Sequence, residues 1–184
     1  MSAVARLPYL EAEQSSRPEL VDGLYGQING WGRPVGHLYK VLANQPAALE
    51  AFLGMSHYIR DLSSLDRHLT EMAVLATARA LEQPYEKAHH EPVALSAGVS
   101  PSKIAAIAAG ETGDLEPAER AVVTYADQVA RTHDVDDAVF EQLRANLTDS
   151  QLTDLVLTVA WYHLCAAVLG PLHVELEPNY SGAP

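Results

Sequence analysis

The chain of 184 residues carries one cysteine, Cys165, so it has no intrachain disulfide and no CxxC redox pair. Its apolar neighbours suit a small core residue. Basic residues are also scarce: 12 stand against 24 acidic ones, for a formal net charge of −12. Phosphate binding needs clustered Lys and Arg, so a nucleic-acid partner is not expected. No phosphate-cradling glycine loop, dinucleotide fingerprint or nucleophile elbow is present, which removes nucleotide-driven enzymes, Rossmann oxidoreductases and hydrolases of that type. The strongest apolar run, Leu152 to Leu172, is interrupted by Asp154, Thr158, His163, Gly170 and Pro171. It reads as a buried helix rather than a membrane span. Arg6 to Pro18 is polar, with Glu11, Glu13 and Arg17, and does not resemble a secretory signal. A cytoplasmic protein with no membrane partner is therefore expected. Strand alternation, fixed-period repeats and low-complexity tracts are all missing.

What remains is helical. Composition, at 48% hydrophobic and 20% charged, is that of one globular domain. Residues 1–35 hold Pro8, Pro18, Pro34, Gly23, Gly26, Gly30 and Gly32, which predict an irregular N-terminal arm with at most short turns. Its apolar Leu20, Leu24, Tyr25, Ile28 and Trp31 are too many for a free tail. From residue 36 to 177 helix signals recur. Leu38, Val41 and Leu42 precede Pro46, and Leu49, Phe52, Leu53 and Met55 follow it. A helix from about Asp66 or Thr70 should stop before Pro84, a second runs from Pro84 to Ala97 with Gly98 as its C-cap, and a short one runs from Ser100 to Gly110. Glu116-Pro117 opens another, Asp134 to Asn146 the next, and Thr148 with Gln151 forms a capping box for the last. Residues 178–184 read as a flexible tail.

Chemistry concentrates at Gln83 to Pro92. A helix starting at Pro84 places Glu86 and His90 one turn apart on one face, and Tyr85 and His89 on the next. Glu71 lies within the otherwise apolar Leu69 to Leu81. A carboxylate, an imidazole and a phenol together suit proton transfer. The same spacing also suits a helix-end carboxylate, a satisfied core histidine and a packed tyrosine. Glu86 and His90 offer two metal ligands at one-turn spacing but no third is visible, so no metal is expected. His163 lies in the most apolar helix, either bonded to a backbone carbonyl or lining a cleft. Arg60 either clamps a substrate carboxylate or closes a helix-end salt bridge.

Leu69-Thr70-Glu71-Met72-Ala73-Val74-Leu75-Ala76-Thr77-Ala78-Arg79, followed by Pro84-Tyr85-Glu86 and His90-Glu91-Pro92-Val93-Ala94-Leu95-Ser96-Ala97-Gly98-Val99-Ser100, resembles the carboxymuconolactone decarboxylase family. That family also includes the alkylhydroperoxidase D proteins. The likeness extends over about Leu38 to Leu172. It implies an all-α, alkylhydroperoxidase D-like domain that assembles into a homo-oligomer, a trimer or hexamer. In the family's redox branch a glutamate relays protons to a CxxC pair. Here Glu71 matches the glutamate and His90 the following histidine, while Gln83 and Glu86 stand at the cysteine positions. Cys165 cannot replace the dithiol, since a sulfenic acid needs a nearby resolving thiol. The other branch is similar to gamma-carboxymuconolactone decarboxylase, a lyase of aromatic catabolism that needs no cofactor. Its Tyr-Glu-x-x-x-His pattern is kept as Tyr85-Glu86 and His90, with Lys87 where an aromatic residue is common. The resemblance therefore implies a cofactor-independent lyase acting on a small carboxylated or lactone-type substrate. Its expected catalytic residues are His90, Glu86, Glu71 and Tyr85, with His90 as acid or base, Glu86 as its orienter, Glu71 as a second proton carrier and Tyr85 donating to enolate charge. Gln83, His89, Arg60 and His163 are expected to line the substrate. The alternatives are an atypical hydroperoxidase-like oxidoreductase and a non-catalytic protein that binds a small acid.

Overall fold

Proline and glycine set the helix boundaries in the computed structural model, which describes residues 5–178 and Tyr180. Among the described residues there are helices and no strand. A 3-10 turn, Ala12–Gln14, precedes α1 (Pro18–Gly30), α2 (His37–Leu42) and α3 (Pro46–His57). A π-helical turn at Tyr58–Leu62 leads on to α4 (Arg67–Ala80), α5 (Pro84–Ser96), α6 (Pro101–Ala109), α7 (Pro117–Thr132), α8 (Asp137–Asn146) and α9 (Asp149–Leu172). Pro18, Pro46, Pro84, Pro101 and Pro117 each occupy the first turn of a helix, where a missing N–H costs nothing.

The described residues divide into two compact units. The first comprises those up to Leu62 with Val168–Tyr180, and the second is Ser63–Ala167. In the first, Val21, Leu24, Tyr25 and Ile28 of α1 pack with Ala43, Leu49 and Leu53. The expected irregular arm is thus corrected: α1 is a 13-residue helix within it. Pro18 starts this helix instead of breaking it. Gly23 and Gly26 lie on its exposed side, and burial of the i, i+3, i+4, i+7 stripe outweighs their entropy cost of roughly 1 kcal/mol each. Of the expected tail, only Pro178 and Tyr180 fall within the described residues.

In the second unit Met72, Ala73, Leu75 and Ala76 of α4 pack with Val122, Val123, Tyr125 and Ala126 of α7 and with Leu155 and Val159 of α9. The predicted α9 capping box is present: Thr148 N–H donates to Gln151 Oε1 at 3.0 Å, and Gln151 N–H to Thr148 Oγ1 at 3.3 Å. By length and composition alone α9 qualifies as a membrane span. It nevertheless buries Leu155, Val159, Trp161, Tyr162 and Cys165, while Val156 and Leu164 on its other side are exposed.

The α4–α5 corner positions the site. Leu81 ends α4, and Glu82 takes the left-handed conformation at φ 51°. Gln83 N–H then donates to Ala78 O at 2.8 Å and Glu82 N–H to Arg79 O at 3.1 Å. This is a Schellman stop with glutamate where glycine is usual. Pro84 opens α5 directly after it. Gly98, at φ 89°, closes α5 in the same manner, with Val99 N–H on Ala94 O at 2.9 Å.

Candidate active site

Three of the four expected catalytic residues converge. Glu71 of α4 and Glu86 and His90 of α5 are 1%, 3% and 1% exposed, which leaves each dependent on protein partners. His90 Nδ1 lies 2.6 Å from Glu71 Oε2. Glu71 Oε1 in turn meets Arg67 Nη2 at 3.1 Å, one helical turn earlier. On the other side of the ring, His90 Nε2 lies 3.0 Å from the Tyr162 hydroxyl of α9 and 3.5 Å from Glu86 Oε2. The Tyr162 ring meets the imidazole edge-on, with centroids 4.9 Å apart and planes at 88°.

These contacts assign the protons. A carboxylate beside Nδ1 requires N–H there, so the neutral imidazole presents Nε2 as acceptor and the Tyr162 hydroxyl donates to it. When Nε2 gains a proton, Glu71 and Glu86 flank the imidazolium from opposite sides. The tightest carboxylate on His90 is Glu71, whereas one-turn spacing on α5 pointed to Glu86 as the orienter. The reason is reach: α4 sends Glu71 end-on to Nδ1, while a same-helix partner one turn away approaches Nε2 at longer range.

The other expected residues are placed as follows. The Tyr85 ring stacks on His89, with centroids 4.4 Å apart. Gln83 is the N-cap residue of α5, with no side-chain cap bond. Arg60 belongs to the first unit, on its π turn, and is half-buried. His163 Nδ1 donates to Val159 O at 2.8 Å, the backbone-bonded alternative, and its ring lies 5.7 Å from that of His133. Lys87 pairs loosely with Glu91 at 3.6 Å. Among the described residues no group of three or more His, Cys, Asp or Glu is arranged to hold a metal ion. Sequence reasoning passed over Tyr162 and Arg67. A phenol on the buried stripe of a core helix demands a partner, and an arginine four residues before a buried glutamate is its natural counter-ion; both signals were available.

Residues 46–128 match the model of the carboxymuconolactone decarboxylase family. No protein of curated function matches the chain. Among solved structures it is similar to an uncharacterized peroxidase-related protein with an alkylhydroperoxidase AhpD core from Ralstonia eutropha, at 20% identity and TM-score 0.80, covering 100% of each chain. An uncharacterized peroxidase-related protein from Silicibacter sp. matches at 16% identity and TM-score 0.81, over 98% of this chain and 95% of that one. A cysteine-to-alanine variant of a debrominase in complex with 2,3,4-tribromopyrrole matches at 16% and 0.81, over 98% of this chain and 96% of that one. At such identities the likeness shows the fold, an all-α domain of the alkylhydroperoxidase type. Glu71, Glu86 and His90 all lie within the residues that match the carboxymuconolactone decarboxylase family model.

Proposed function

We propose that this protein is a cofactor-independent lyase that decarboxylates a small carboxylated or lactone-type compound by proton transfer. The observation that carries this reading is a buried His90 held at Nδ1 by Glu71 at 2.6 Å and met at Nε2 by Tyr162 at 3.0 Å. The chain has Gln83 and Glu86 where a redox dithiol would stand. In a substrate whose carboxylate sits on a carbon α to a carbonyl, directly or through an intervening C=C bond, the C–C bond to the carboxylate breaks. Its electron pair moves to the carbonyl as an enolate, CO2 leaves, and the enolate carbon takes a proton. Imidazolium Nε2–H supplies that proton, with Glu86 and Tyr162 as its exchange partners. Glu71, backed by Arg67, keeps Nδ1 protonated and the ring fixed. Tyr85 remains the expected donor to enolate oxygen. A homo-oligomer, trimer or hexamer, and a cytoplasmic setting belong to the same reading; the exposed Val156 and Leu164 of α9 support an assembly surface.

The test is CO2 release from gamma-carboxymuconolactone and related lactone acids, with pH–rate profiles for wild type and His90→Ala. Loss of the acid is expected to lower turnover by about 10²- to 10⁴-fold. Unchanged turnover in the variant sinks the assignment.

A hydroperoxidase-like oxidoreductase is the second reading, favoured by Cys165, which is buried on α9 three residues beyond Tyr162. Its thiolate would attack a peroxide oxygen, break the O–O bond and become a sulfenate as water or alcohol leaves. An external dithiol would then return two electrons. Peroxide consumption that survives Cys165→Ser excludes this thiol as its source. Absence of turnover on lactones, keto acids and peroxides alike would favour a non-catalytic binder of small acids.

A further inference from the structure

We propose that the Thr158 hydroxyl is a ligand-binding donor of the His90 site, holding a carbonyl or carboxylate oxygen of the bound small molecule. This rests on the small-acid reading of that site. Thr158 is 0% exposed, and its Oγ1 is buried without a hydrogen-bond partner among the described residues. A helix ordinarily satisfies such a hydroxyl by bonding it to the carbonyl four residues back. Thr77, Thr132 and Thr153 do so, onto Ala73, Gln128 and Asp149, each at 2.8 Å. Thr158 has the same option in the carbonyl of Asp154 and does not take it.

Its place on α9 gives the unused hydroxyl a meaning. Asp154, Thr158 and Tyr162 follow one another at four-residue spacing along one stripe, with about 6 Å of rise between neighbours. Asp154 Oδ2 accepts from Ser64 N–H at 2.6 Å and from Ser64 Oγ at 2.7 Å, just ahead of α4. Tyr162 meets His90 on α5. Thr158 therefore sits between two residues of α9, one anchored on the segment that leads into α4 and the other on His90 of α5. A buried hydroxyl without a partner is costly, and an isosteric valine would avoid that cost. An oxygen acceptor on a ligand beside His90 gives the hydroxyl its partner.

The experiment compares wild type, Thr158→Val and Thr158→Ser. Without ligand, the melting temperature of Thr158→Val is expected to equal or exceed that of wild type; a fall of several degrees would show that the hydroxyl is bonded within the protein and would overturn the proposal. Calorimetric titration then uses two probes, muconolactone and benzoate. Thr158→Val should bind the one wild type prefers roughly tenfold more weakly, with Thr158→Ser restoring affinity. Equal affinity in wild type and Thr158→Val, or no binding of either probe by wild type, also overturns it. The lyase reading is judged separately by His90→Ala turnover, so weakened binding in Thr158→Val stands even if that reading fails.

Discussion

At the scale of single residues, the site turns on how one carboxylate is shared. Glu71 meets His90 in the interior and Arg67 nearer the surface, where the arginine side chain is 37% exposed. The two contacts should therefore carry different weights. Glu71→Ala leaves an imidazole without its Nδ1 acceptor and is expected to cost about 3–5 kcal/mol, while Arg67→Ala should cost on the order of 1 kcal/mol or less. Urea unfolding followed by far-UV circular dichroism measures both. Comparable losses would mean that Glu71 is held mainly by Arg67. Helical spacing put Glu86 beside His90 in the sequence, while Glu71 was marked by its apolar surroundings and by the family resemblance. Which carboxylate holds which ring nitrogen was not legible, since that depends on how α4 faces α5. Tyr162, the one tyrosine of α9, could be read as needing a partner, but 72 residues separate it from His90 and only the contact shows that His90 is that partner.

Single elements show where local signals misled. Four of the five proline-initiated helices were readable, and so was the stop at Gly98. The helix Pro18–Gly30 was not, because three glycines weigh against a helix locally while the benefit of burying Val21, Leu24, Tyr25 and Ile28 is tertiary. That imbalance is testable. A Cβ added at Gly26 meets nothing within 4 Å, so Gly26→Ala should raise stability by roughly 0.5–1 kcal/mol through backbone entropy. Gly110 is the opposite case. It ends α6 at φ +77°, and an added Cβ would come 3.0 Å from Arg79 Nη1, whose guanidinium is paired with Asp127. Gly110→Ala should therefore lower the melting temperature where Gly26→Ala raises it. The same sign for both would refute this account of the two glycines.

For the molecule as a whole, the all-α class was legible and the membership of the two units was not. Residues near the C-terminus join the first unit through contacts that leave no local trace. Arg6 N–H donates to Leu172 O at 2.9 Å, His37 N–H to Glu177 Oε1 at 2.6 Å and Glu175 N–H to the Tyr9 hydroxyl at 3.0 Å. Each unit also carries buried titratable groups that set limits on its pH range. In the second, burial works to raise the Glu119 carboxyl, but hydrogen bonds from Lys103 and from Glu116 N–H, with the Lys103 charge, leave it below its ordinary value. Its contribution is present above the unfolded value of 4.5 and is lost as pH falls through the lower folded one. The first unit has the alkaline counterpart. Burial, helped by the Glu11 charge, pushes the Tyr25 phenol from 10.0 up to about 12, and its hydroxyl donates to Leu10 O at 2.8 Å. Below pH 10 the phenol is protonated in both folded and unfolded chains. Between 10 and 12 the unfolded chain releases its proton first, so stability falls as pH rises through that window. Tyr25→Phe lacks this slope, having already lost the hydrogen bond at a cost of about 1 kcal/mol at neutral pH. Urea unfolding of both proteins at intervals from neutral pH upward should show a constant gap until about pH 10, narrowing steadily beyond it. A gap that stays fixed up to pH 12 would mean that the Tyr25 proton is not held by the fold.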